Sequence, residues 1–275
     1  MFRRDVAPSP RDAEILLDSR LENSAYVDSF GYEWQHLDAY VDKETLSHGH
    51  LFGRFLLPRD YFRGHTVIDV GCGNGRVGRF IAASAARYVG VDLSESVYAF
   101  PKHLPRPPSF ALVRASGTDL PVVDRLADIS LCWGVLHHMD DPTAAMRELL
   151  RVTRPGGEIL IYVYPSYFDA RKNLNGFWKF LPGATQRHYI ESLSDAIDSW
   201  QSVDGFFAKQ LATQLSLGFK SSRDLQILQW FDGVTPRFHW SLHRDVPAYF
   251  KEQECSVTET YPGCFRIRVQ ASATG

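Results

Sequence analysis

An acidic residue and a run of glycines form the part of the sequence with the clearest chemical capacity. Residues 67–78 read Val-Ile-Asp-Val-Gly-Cys-Gly-Asn-Gly-Arg-Val-Gly, a short β-branched run followed by a glycine-rich turn. Gly71, Gly73 and Gly75 can adopt backbone conformations closed to other residues, and they let a ligand approach the main chain. A helix over about 74–85 would direct its free N–H groups toward that ligand. The segment therefore predicts a strand, a turn and a helix around a nucleotide-like ligand.

The same glycines also match a weaker pattern, G-x-G-x-x-G within residues 73–78, which is typical of dinucleotide-binding proteins. In that pattern the first glycine directly follows the strand, so the triplet should begin at Gly71, and its third member would then be Arg76. Asp69 lies just ahead of the turn, and a carboxylate repels phosphates but attracts an ammonium group. A ligand with a cationic amino-acid part therefore fits better than a dinucleotide.

Two further segments place polar groups at the ends of expected strands. Residues 88–94, Tyr-Val-Gly-Val-Asp-Leu-Ser, predict a strand that ends in Asp92, where a carboxylate can accept both hydroxyls of a ribose. Residues 132–142, Cys-Trp-Gly-Val-Leu-His-His-Met-Asp-Asp-Pro, predict a strand end followed by two histidines. A helix near 143–151 follows, and then a Pro-Gly-Gly turn leads into a strand over 159–164.

Together these motifs resemble the class I S-adenosylmethionine-dependent methyltransferases, in particular a methyltransferase type 11/12-like branch that acts on small molecules. The resemblance covers about residues 60–165. It implies an α/β fold with a Rossmann-like, doubly wound sheet of seven mostly parallel strands, an antiparallel C-terminal hairpin at the sheet edge and an inserted helical cap. It also implies S-adenosyl-L-methionine as cofactor and S-adenosyl-L-homocysteine as product.

The resemblance further implies which residues hold the cofactor. Asp69 and the glycine turn lie at its methionine end, Asp92 holds the ribose, and Leu93 packs against the adenine. Many relatives carry an acid for the adenine amino group where this chain has Ser116. Either Ser116 and the two amides that follow it contact the adenine edge, or Asp119 does so. The whole expected set is Asp69, Gly71, Cys72, Gly73, Asn74, Gly75, Asp92, Leu93, Ser116, Gly117, Thr118 and Trp133, the last of them against the adenine ring.

Two adjacent histidines provide a candidate base. His137 and His138 follow the fourth expected strand, at the carboxyl edge where ligands of such sheets bind. A neutral imidazole can take a proton from a hydroxyl acceptor, although one histidine of such a pair is often structural. Their adjacency lacks the spacing of two metal ligands, so no metal is expected. Substrate contacts are expected from Tyr164, from His239 and from Trp34, the last in a lid over the cofactor mouth.

The chain divides into four parts. Residues 1–60 are expected to form an N-terminal helical lid, and residues 61–164 alternate strand and helix as an S-adenosylmethionine-binding Rossmann-like core. Residues 165–236 lose this alternation and are rich in aromatic residues, which predicts an inserted helical cap over the substrate region. Residues 237–275 predict a helix and a β-hairpin that complete the core sheet.

Composition narrows the classes of protein. The 275 residues are 44% hydrophobic and 23% charged with a formal net charge of −2, which fits a compact enzyme and lacks the basic excess of a nucleic-acid-binding protein. No signal peptide or membrane span is readable, and the four cysteines have no C-x-x-C spacing, so a cytoplasmic, reduced protein is expected. Cys255 and Cys264 are expected to face each other across the C-terminal hairpin, without a bond in a reduced protein. The expected partner is a small-molecule substrate, with neither nucleic acid nor membrane. Pairing of two subunits in a homodimer, through the cap or the hairpin edge, stays open.

Methyl transfer to a small molecule is the leading hypothesis for the function. The aromatic cap favours a partly apolar natural-product or sugar-like acceptor, and oxygen is preferred to nitrogen or carbon as the methylated atom. One alternative is an enzyme of the same fold in which the bound cofactor assists a cyclisation or elimination. Another is a catalytically silent binding protein, which the intact acids and glycines of the turn disfavour.

Overall fold

A computed structural model of the protein describes residues 1–21, 49–100, 105–164 and 241–271. All of these residues belong to one compact unit of the chain, and a second unit, made of Leu37–Asp42 and Tyr167–Pro236, lies outside them. The predicted cap therefore lies outside the described residues. Within the described ranges, no helix has the length and the apolar composition that crossing a bilayer requires.

One sheet organises the part of the chain that the structure describes. Its strands are β1 Val6–Pro8, β2 Ile15–Asp18, β3 Thr66–Val70, β4 Arg87–Asp92, β5 Ser109–Arg114, β6 Ala127–Trp133, β7 Thr153–Tyr162, β8 Ser256–Tyr261 and β9 Cys264–Arg268. Their spatial order is β1-β2-β5-β4-β3-β6-β7-β9-β8. The six strands β2 to β7 run parallel to one another. Strand β1 pairs antiparallel with β2, and the β8–β9 hairpin pairs antiparallel with β7 through β9. The predicted α/β fold with an antiparallel hairpin edge is confirmed.

Three α-helices lie among the described residues: α1 Gly78–Ala82, α2 Pro142–Val152 and α3 Leu242–Glu252. Helix α2 begins as its sequence predicts, because the Asp141 side chain caps it by accepting the Ala144 N–H at 2.9 Å and Pro142 occupies its first turn. Two short 3₁₀-helices, Glu95–Ala99 and Leu136–His138, follow the carboxyl ends of β4 and β6.

The central strand β3 is buried on both faces, as its β-branched sequence predicts. Ile68 and Val70 belong to one apolar cluster of the sheet, and Val67 belongs to the cluster on the other face. Parallel strands covered on both sides need such continuous apolar runs. The turn after β3 is therefore held on a rigid support at the centre of the sheet.

The expectation of a helical N-terminal part is wrong for residues 1–21, which contain β1 and β2. Strand β2 pairs in parallel with β5 and so covers what would otherwise be the open edge of the core sheet. The described sheet thus has nine strands instead of the expected seven. Short apolar runs such as Ile15–Asp18 have no periodicity that separates strand from helix. Residues 22–48 of the expected lid lie outside the described residues.

Three local expectations also need correction. Helix α1 begins at Gly78 and not near residue 74, because tight turns occupy residues 72–77. The Pro-Gly-Gly segment at 155–157 lies within β7 as an irregularity, where the register against β6 shifts. Cys255 and Cys264 do not face each other across the hairpin, because Cys264 pairs with Tyr261 and Cys255 precedes β8.

Candidate functional site

The turn after β3 is tied to the end of β4 by its own N–H groups. The N–H groups of Gly71 and Cys72 donate to the Val91 carbonyl at 2.7 and 3.1 Å. The N–H of Gly73 donates to Asp92 Oδ2 at 2.8 Å. A cradle for phosphates needs free N–H groups, and these three are already used inside the protein. The turn therefore does not suit a pyrophosphate, which agrees with the argument from the glycine spacing.

Of the three glycines in the turn, Gly73 is the one whose Cα is not covered by a described side chain. A Cβ at Gly71 would overlap the side chain of Val135, and a Cβ at Gly75 would come within 2.6 Å of the Phe100 ring. At Gly73, which has φ of +52°, a Cβ would meet no described atom closer than 3.9 Å. Packing thus explains two of the glycines, and Gly73 alone marks a place where a ligand can approach the backbone.

Asp92 stands at the carboxyl end of β4 with its carboxylate held in a fixed orientation. Besides the bond from Gly73, its Oδ1 accepts the N–H of Ser94 at 2.8 Å and the Ser94 hydroxyl at 2.7 Å. Burial raises the pKa of Asp92, and the hydrogen bonds from Ser94 and Gly73 oppose that shift. Asp92 is half-buried, as is Leu93 beside it. The carboxylate is therefore preorganised for polar hydrogens at the sheet edge.

Asp69 lies in the interior beneath the turn. Its side chain is 2% exposed, and its Oδ2 accepts the hydroxyl of Tyr88 at 2.8 Å. Burial raises the pKa of Asp69 to about 7, the negative charge of Asp92 adds to the rise, and the hydrogen bond from Tyr88 opposes it. Two carboxylates near one turn produce a negative potential that suits a cationic ligand. Asp69 thus lies below the site with Oδ2 bonded to Tyr88, and its raised pKa leaves it partly protonated near neutral pH, so Asp92 carries more of the charge.

The segment that follows β5 carries the residues expected at the adenine. The hydroxyls of Ser116 and Thr118 lie 2.7 Å apart, and the Thr118 N–H donates to Ser116 Oγ at 3.2 Å. Gly117 packs so closely that a Cβ would come within 2.7 Å of Met139. The Asp119 carboxylate forms ion pairs with arginines of the N-terminal segment. These are Arg3 at 2.5 Å, Arg4 at 2.9 Å and Arg20 at 3.0 Å.

Both candidate histidines lie where β6 and β7 end. His137 and His138 are 1% and 6% exposed, on the 3₁₀-helix that follows β6. The ring of Tyr164, just beyond β7, lies 4.2 Å from the His137 ring, measured between centroids. The two histidine rings are also 4.2 Å apart. The structure thus brings together the predicted base and one predicted substrate contact, Tyr164.

Trp133 contacts different groups from those expected. It pairs with Tyr162 across β6 and β7, with 4.7 Å between ring centroids, and its ring meets Phe55 at 5.5 Å. The guanidinium of Arg54 lies over the Tyr162 ring at 5.1 Å. These contacts do not support the prediction that Trp133 packs against the adenine. Trp133 ends β6, whereas Asp92 ends β4, on the other side of β3.

Sequence reasoning missed the contribution of Arg54 and Phe55 to this aromatic group. A single arginine in the apolar segment Leu51–Leu57 is the signal that could have drawn attention to it. Two other predicted substrate contacts, Trp34 and His239, lie outside the described residues.

Comparison with known proteins agrees with this geometry. The model of a family described as "Methyltransferase domain" matches residues 68–161. An uncharacterized methyltransferase of Mycobacterium ulcerans is 45% identical over 96 residues, which are 34% of this chain and 37% of that protein. One from Mycobacteroides abscessus is 42% identical over 98 residues, covering 34% and 38% of the two chains. This chain therefore spans little more than a third of the length of these curated relatives.

A solved structure shows the same fold over a longer stretch. That structure is of a protein from Methanococcus maripaludis for which S-adenosyl-L-methionine-dependent methyltransferase activity is proposed. The alignment covers 91% of this chain and 97% of that chain, with a TM-score of 0.51 at 13% identity. Residues 68–161 of the chain therefore match a methyltransferase domain, and the solved structure shows the fold alone. S-Adenosylmethionine is the cofactor of such a domain, and when bound it supplies an electrophilic methyl group on a sulfonium.

The residues of the methyltransferase domain fit this cofactor. Gly73 leaves open space, and its carbonyl accepts only a weak contact from the Cys72 thiol, at 3.8 Å, among the described residues. A carbonyl oxygen suits the ammonium group of the cofactor, and the half-buried carboxylate of Asp92 suits the ribose hydroxyls. The negative charge of Asp69 and Asp92 suits its two cationic groups.

Proposed function

We propose that this protein transfers the methyl group of S-adenosylmethionine to an oxygen atom of a small molecule. The observation that carries the proposal is the order of the strand ends around β3. On one side, β4 ends at Asp92 and the segment after β5 carries Ser116, the groups proposed for adenosine. On the other side, His137 follows β6 and Tyr164 follows β7, with their rings 4.2 Å apart. The turn with Gly73 lies between them, so the methionine end of the cofactor would face the histidines.

The proposed base is one of the two buried histidines. An imidazole that takes the proton of an acceptor hydroxyl raises the nucleophilicity of the oxygen as it attacks the methyl group. The rings around it exclude water, which keeps the reacting atoms in contact with each other and not with solvent. We propose that Tyr164, whose ring lies against His137, lines the acceptor site. Trp34 and His239 are proposed as further contacts from the sequence alone.

Ser116, with the amide of Gly117, is proposed for the adenine edge in preference to Asp119. The Thr118 N–H already donates to Ser116 Oγ at 3.2 Å and orients that hydroxyl. The ion pairs of Asp119 with three arginines support this choice, because its carboxylate already has positive partners. The net charge of −2 supports a small acceptor over nucleic acid. The aromatic surroundings support a partly apolar acceptor of natural-product or sugar-like type, and we propose oxygen as its methylated atom.

The full chain, incubated with S-adenosylmethionine and a panel of hydroxylated aromatic compounds and sugars, tests the proposal. We expect S-adenosylhomocysteine to form together with an acceptor that has gained one methyl group on oxygen, both followed by mass spectrometry. Conversion of an acceptor without S-adenosylhomocysteine would instead support a cyclisation or elimination. Methylation of nitrogen or carbon only would contradict the choice of oxygen, while methyl transfer itself would stand.

A further inference from the structure

Residues 1–21, which we name the N-terminal strap, add to the methyltransferase core a feature that the core itself does not require. Strand β2 pairs with β5 in parallel, with Ile15 opposite Leu112 and Leu17 opposite Arg114. Strand β1 then covers β2. Because β5 leads directly into Ser116, the strap lies against the strand that carries the proposed adenine contacts.

The first residues of the strap run along the chain that follows these contacts. The N–H of Arg3 donates to the Pro121 carbonyl at 2.8 Å, and its Nε donates to the Leu120 carbonyl at 2.9 Å. The N–H of Val123 donates to the Met1 carbonyl at 3.1 Å. This backbone pairing fixes the C-terminal side of the adenine segment.

Arg4 connects the strap to the adenine segment from within the protein. Its side chain is 11% exposed and binds both carboxylate oxygens of Asp18, whose side chain is 3% exposed. The same guanidinium donates to Asp119 Oδ1 at 2.9 Å and to the Asp119 backbone carbonyl at 2.5 Å. A planar guanidinium can hold several oxygens at fixed angles, which an ammonium cannot. Arg4 therefore holds both the side chain and the main chain of Asp119.

The strap also contacts the segment that follows Asp92. The Ser9 hydroxyl lies 2.8 Å from the Tyr98 hydroxyl, and Arg11 pairs with Glu95 at 2.7 Å. The Arg11 guanidinium lies over the Tyr98 ring at 4.5 Å. Tyr98 and Glu95 belong to the 3₁₀-helix that begins just after the proposed ribose acid. Both segments proposed to surround the adenosine thus touch the strap.

We propose that the N-terminal strap positions the adenine-contacting segment 116–119, and that Arg4 is the positioning residue. Arg4 does not touch the cofactor. It sets the conformation in which Ser116 and the Gly117 amide meet the adenine edge, by holding Asp119. The inference rests on the proposed role of these residues in cofactor binding. It makes adenine specificity depend on Arg4, which lies 115 residues from Asp119 in sequence.

Titration calorimetry on the full chain tests this with two probes, S-adenosylhomocysteine and S-inosylhomocysteine, which lacks the adenine amino group. The variants are Arg4→Gln, Arg4→Lys and Asp119→Asn. Arg154→Gln is the matched control, because it removes the same charge from an ion pair with Asp128 near the amino end of β6.

We expect Arg4→Gln and Asp119→Asn to lower the affinity for S-adenosylhomocysteine by about tenfold, in line with one lost charge-assisted hydrogen bond. Both variants should also show a smaller preference for S-adenosylhomocysteine over S-inosylhomocysteine. Arg4→Lys should lie in between, and Arg154→Gln should match the wild type.

Asp119→Asn guards against a trivial loss of folding, because it leaves the buried pair of Arg4 and Asp18 intact. Its urea midpoint should fall only slightly, because the ion pairs of Asp119 with Arg3, Arg4 and Arg20 are partly exposed, while its adenine preference falls. An unchanged preference in both Arg4→Gln and Asp119→Asn, or an equal loss of affinity for both probes, would overturn the positioning role. If the wild-type chain bound neither probe, the proposed function itself would fail, and this outcome is distinct.

Discussion

The hydroxyl of Tyr88 donates a 2.8 Å hydrogen bond to the carboxylate of Asp69, and both side chains are buried. The pair links β4 to β3 directly beneath the turn that is proposed to hold the methionine end of the cofactor. Gly78 lies over it, so that a Cβ there would overlap the Tyr88 hydroxyl and come within 3.0 Å of Asp69. The third glycine of the apparent dinucleotide pattern is thus needed for this packing.

Replacing Asp69 with Asn should change how stability depends on pH. The pKa of Asp69 is raised from its ordinary value of 3.8 to about 7, because burial penalises the charged form. The folded protein therefore holds a proton that the unfolded chain releases between these values, and wild-type stability falls as pH rises through this window. Asp69→Asn lacks this loss, so its stability relative to the wild type should rise with pH by up to about 1.4 kcal/mol per unit, levelling off above about pH 7.

Urea unfolding at pH 5 and pH 8 measures this difference. Asp128→Asn is the control, because burial there is outweighed by the Thr66 N–H and Arg154, which lower the pKa of Asp128. The charged Asp128 stabilises the folded protein, and this stabilisation is lost only as pH falls below the ordinary carboxyl pKa of 3.8. The stability of Asp128→Asn relative to the wild type should therefore not rise between pH 5 and pH 8. A parallel pH dependence in Asp69→Asn and the wild type would contradict the prediction.

Gly78→Ala should destabilise the protein by about 1–3 kcal/mol, because the added methyl group has no space beside the Tyr88 hydroxyl. In a Tyr88→Phe background the same change should cost less, since the overlapping oxygen is gone. A double-mutant cycle by urea unfolding measures this coupling. Equal costs in the two backgrounds would show that the hydroxyl is not the obstacle.

Asp92→Asn should weaken binding of S-adenosylhomocysteine by roughly 10–100-fold, since hydrogen bonds to a charged acceptor are replaced by bonds to a neutral one. Calorimetry on the full chain measures the affinity. Asp128→Asn removes a charge at the opposite end of the strands, where Asp128 accepts the Thr66 N–H at 2.7 Å, and should leave the affinity unchanged. Comparable losses in both variants would point to an effect of net charge alone.

Replacing His137 and His138 together with Gln should lower the rate of methyl transfer by about 100-fold or more, which is the usual contribution of a general base. Cofactor affinity should stay within about twofold, since the histidines lie at the ends of β6 and β7 and the adenosine contacts at those of β4 and β5. The single variants show which imidazole takes the proton. Parallel losses of rate and of cofactor binding would mean that the pair is structural.

Trp34 lies outside the described residues, and the sequence predicts that it belongs to a lid over the cofactor. If the segment around it forms a lid over the cofactor mouth, Trp34→Ala should lower the affinity for S-adenosylhomocysteine several-fold, because an aromatic wall of the site is lost. The same titration measures it. Wild-type affinity in this variant would exclude the lid.

Local motifs accounted well for the centre of the fold. The run ending in Asp92 predicted both a buried strand and an acid at its carboxyl end, and the structure has β4 over Arg87–Asp92 with that acid bonded to Gly73. Strand β4 and its terminal acid are neighbours along the chain, so their arrangement follows from backbone geometry within a few residues. The hydrogen bond from Gly73 to that acid joins residues 19 apart and is a tertiary contact. The helix expected near 143–151 is likewise present as α2, Pro142–Val152, with Asp141 as its capping residue.

Other features depend on contacts between distant parts of the chain. The N-terminal strap looked helical because a four-residue apolar run such as Ile15–Asp18 becomes a strand only when an open sheet edge satisfies its backbone. Trp133 was expected at the adenine, yet its ring packs on Tyr162 of β7 and on Phe55. No spacing in the sequence records which neighbouring strand a ring leans toward.

The sequence by itself determined the class of domain and predicted a cationic ligand with the acids that would contact it, because these reside in short motifs with their own backbone requirements. Only the tertiary structure decided that Asp119 pairs with three arginines, that Asp69 is buried against Tyr88, and that no described side chain covers Gly73. Burial and charge pairing are set by residues brought together from far apart in the chain, and no local pattern specifies which of them will meet.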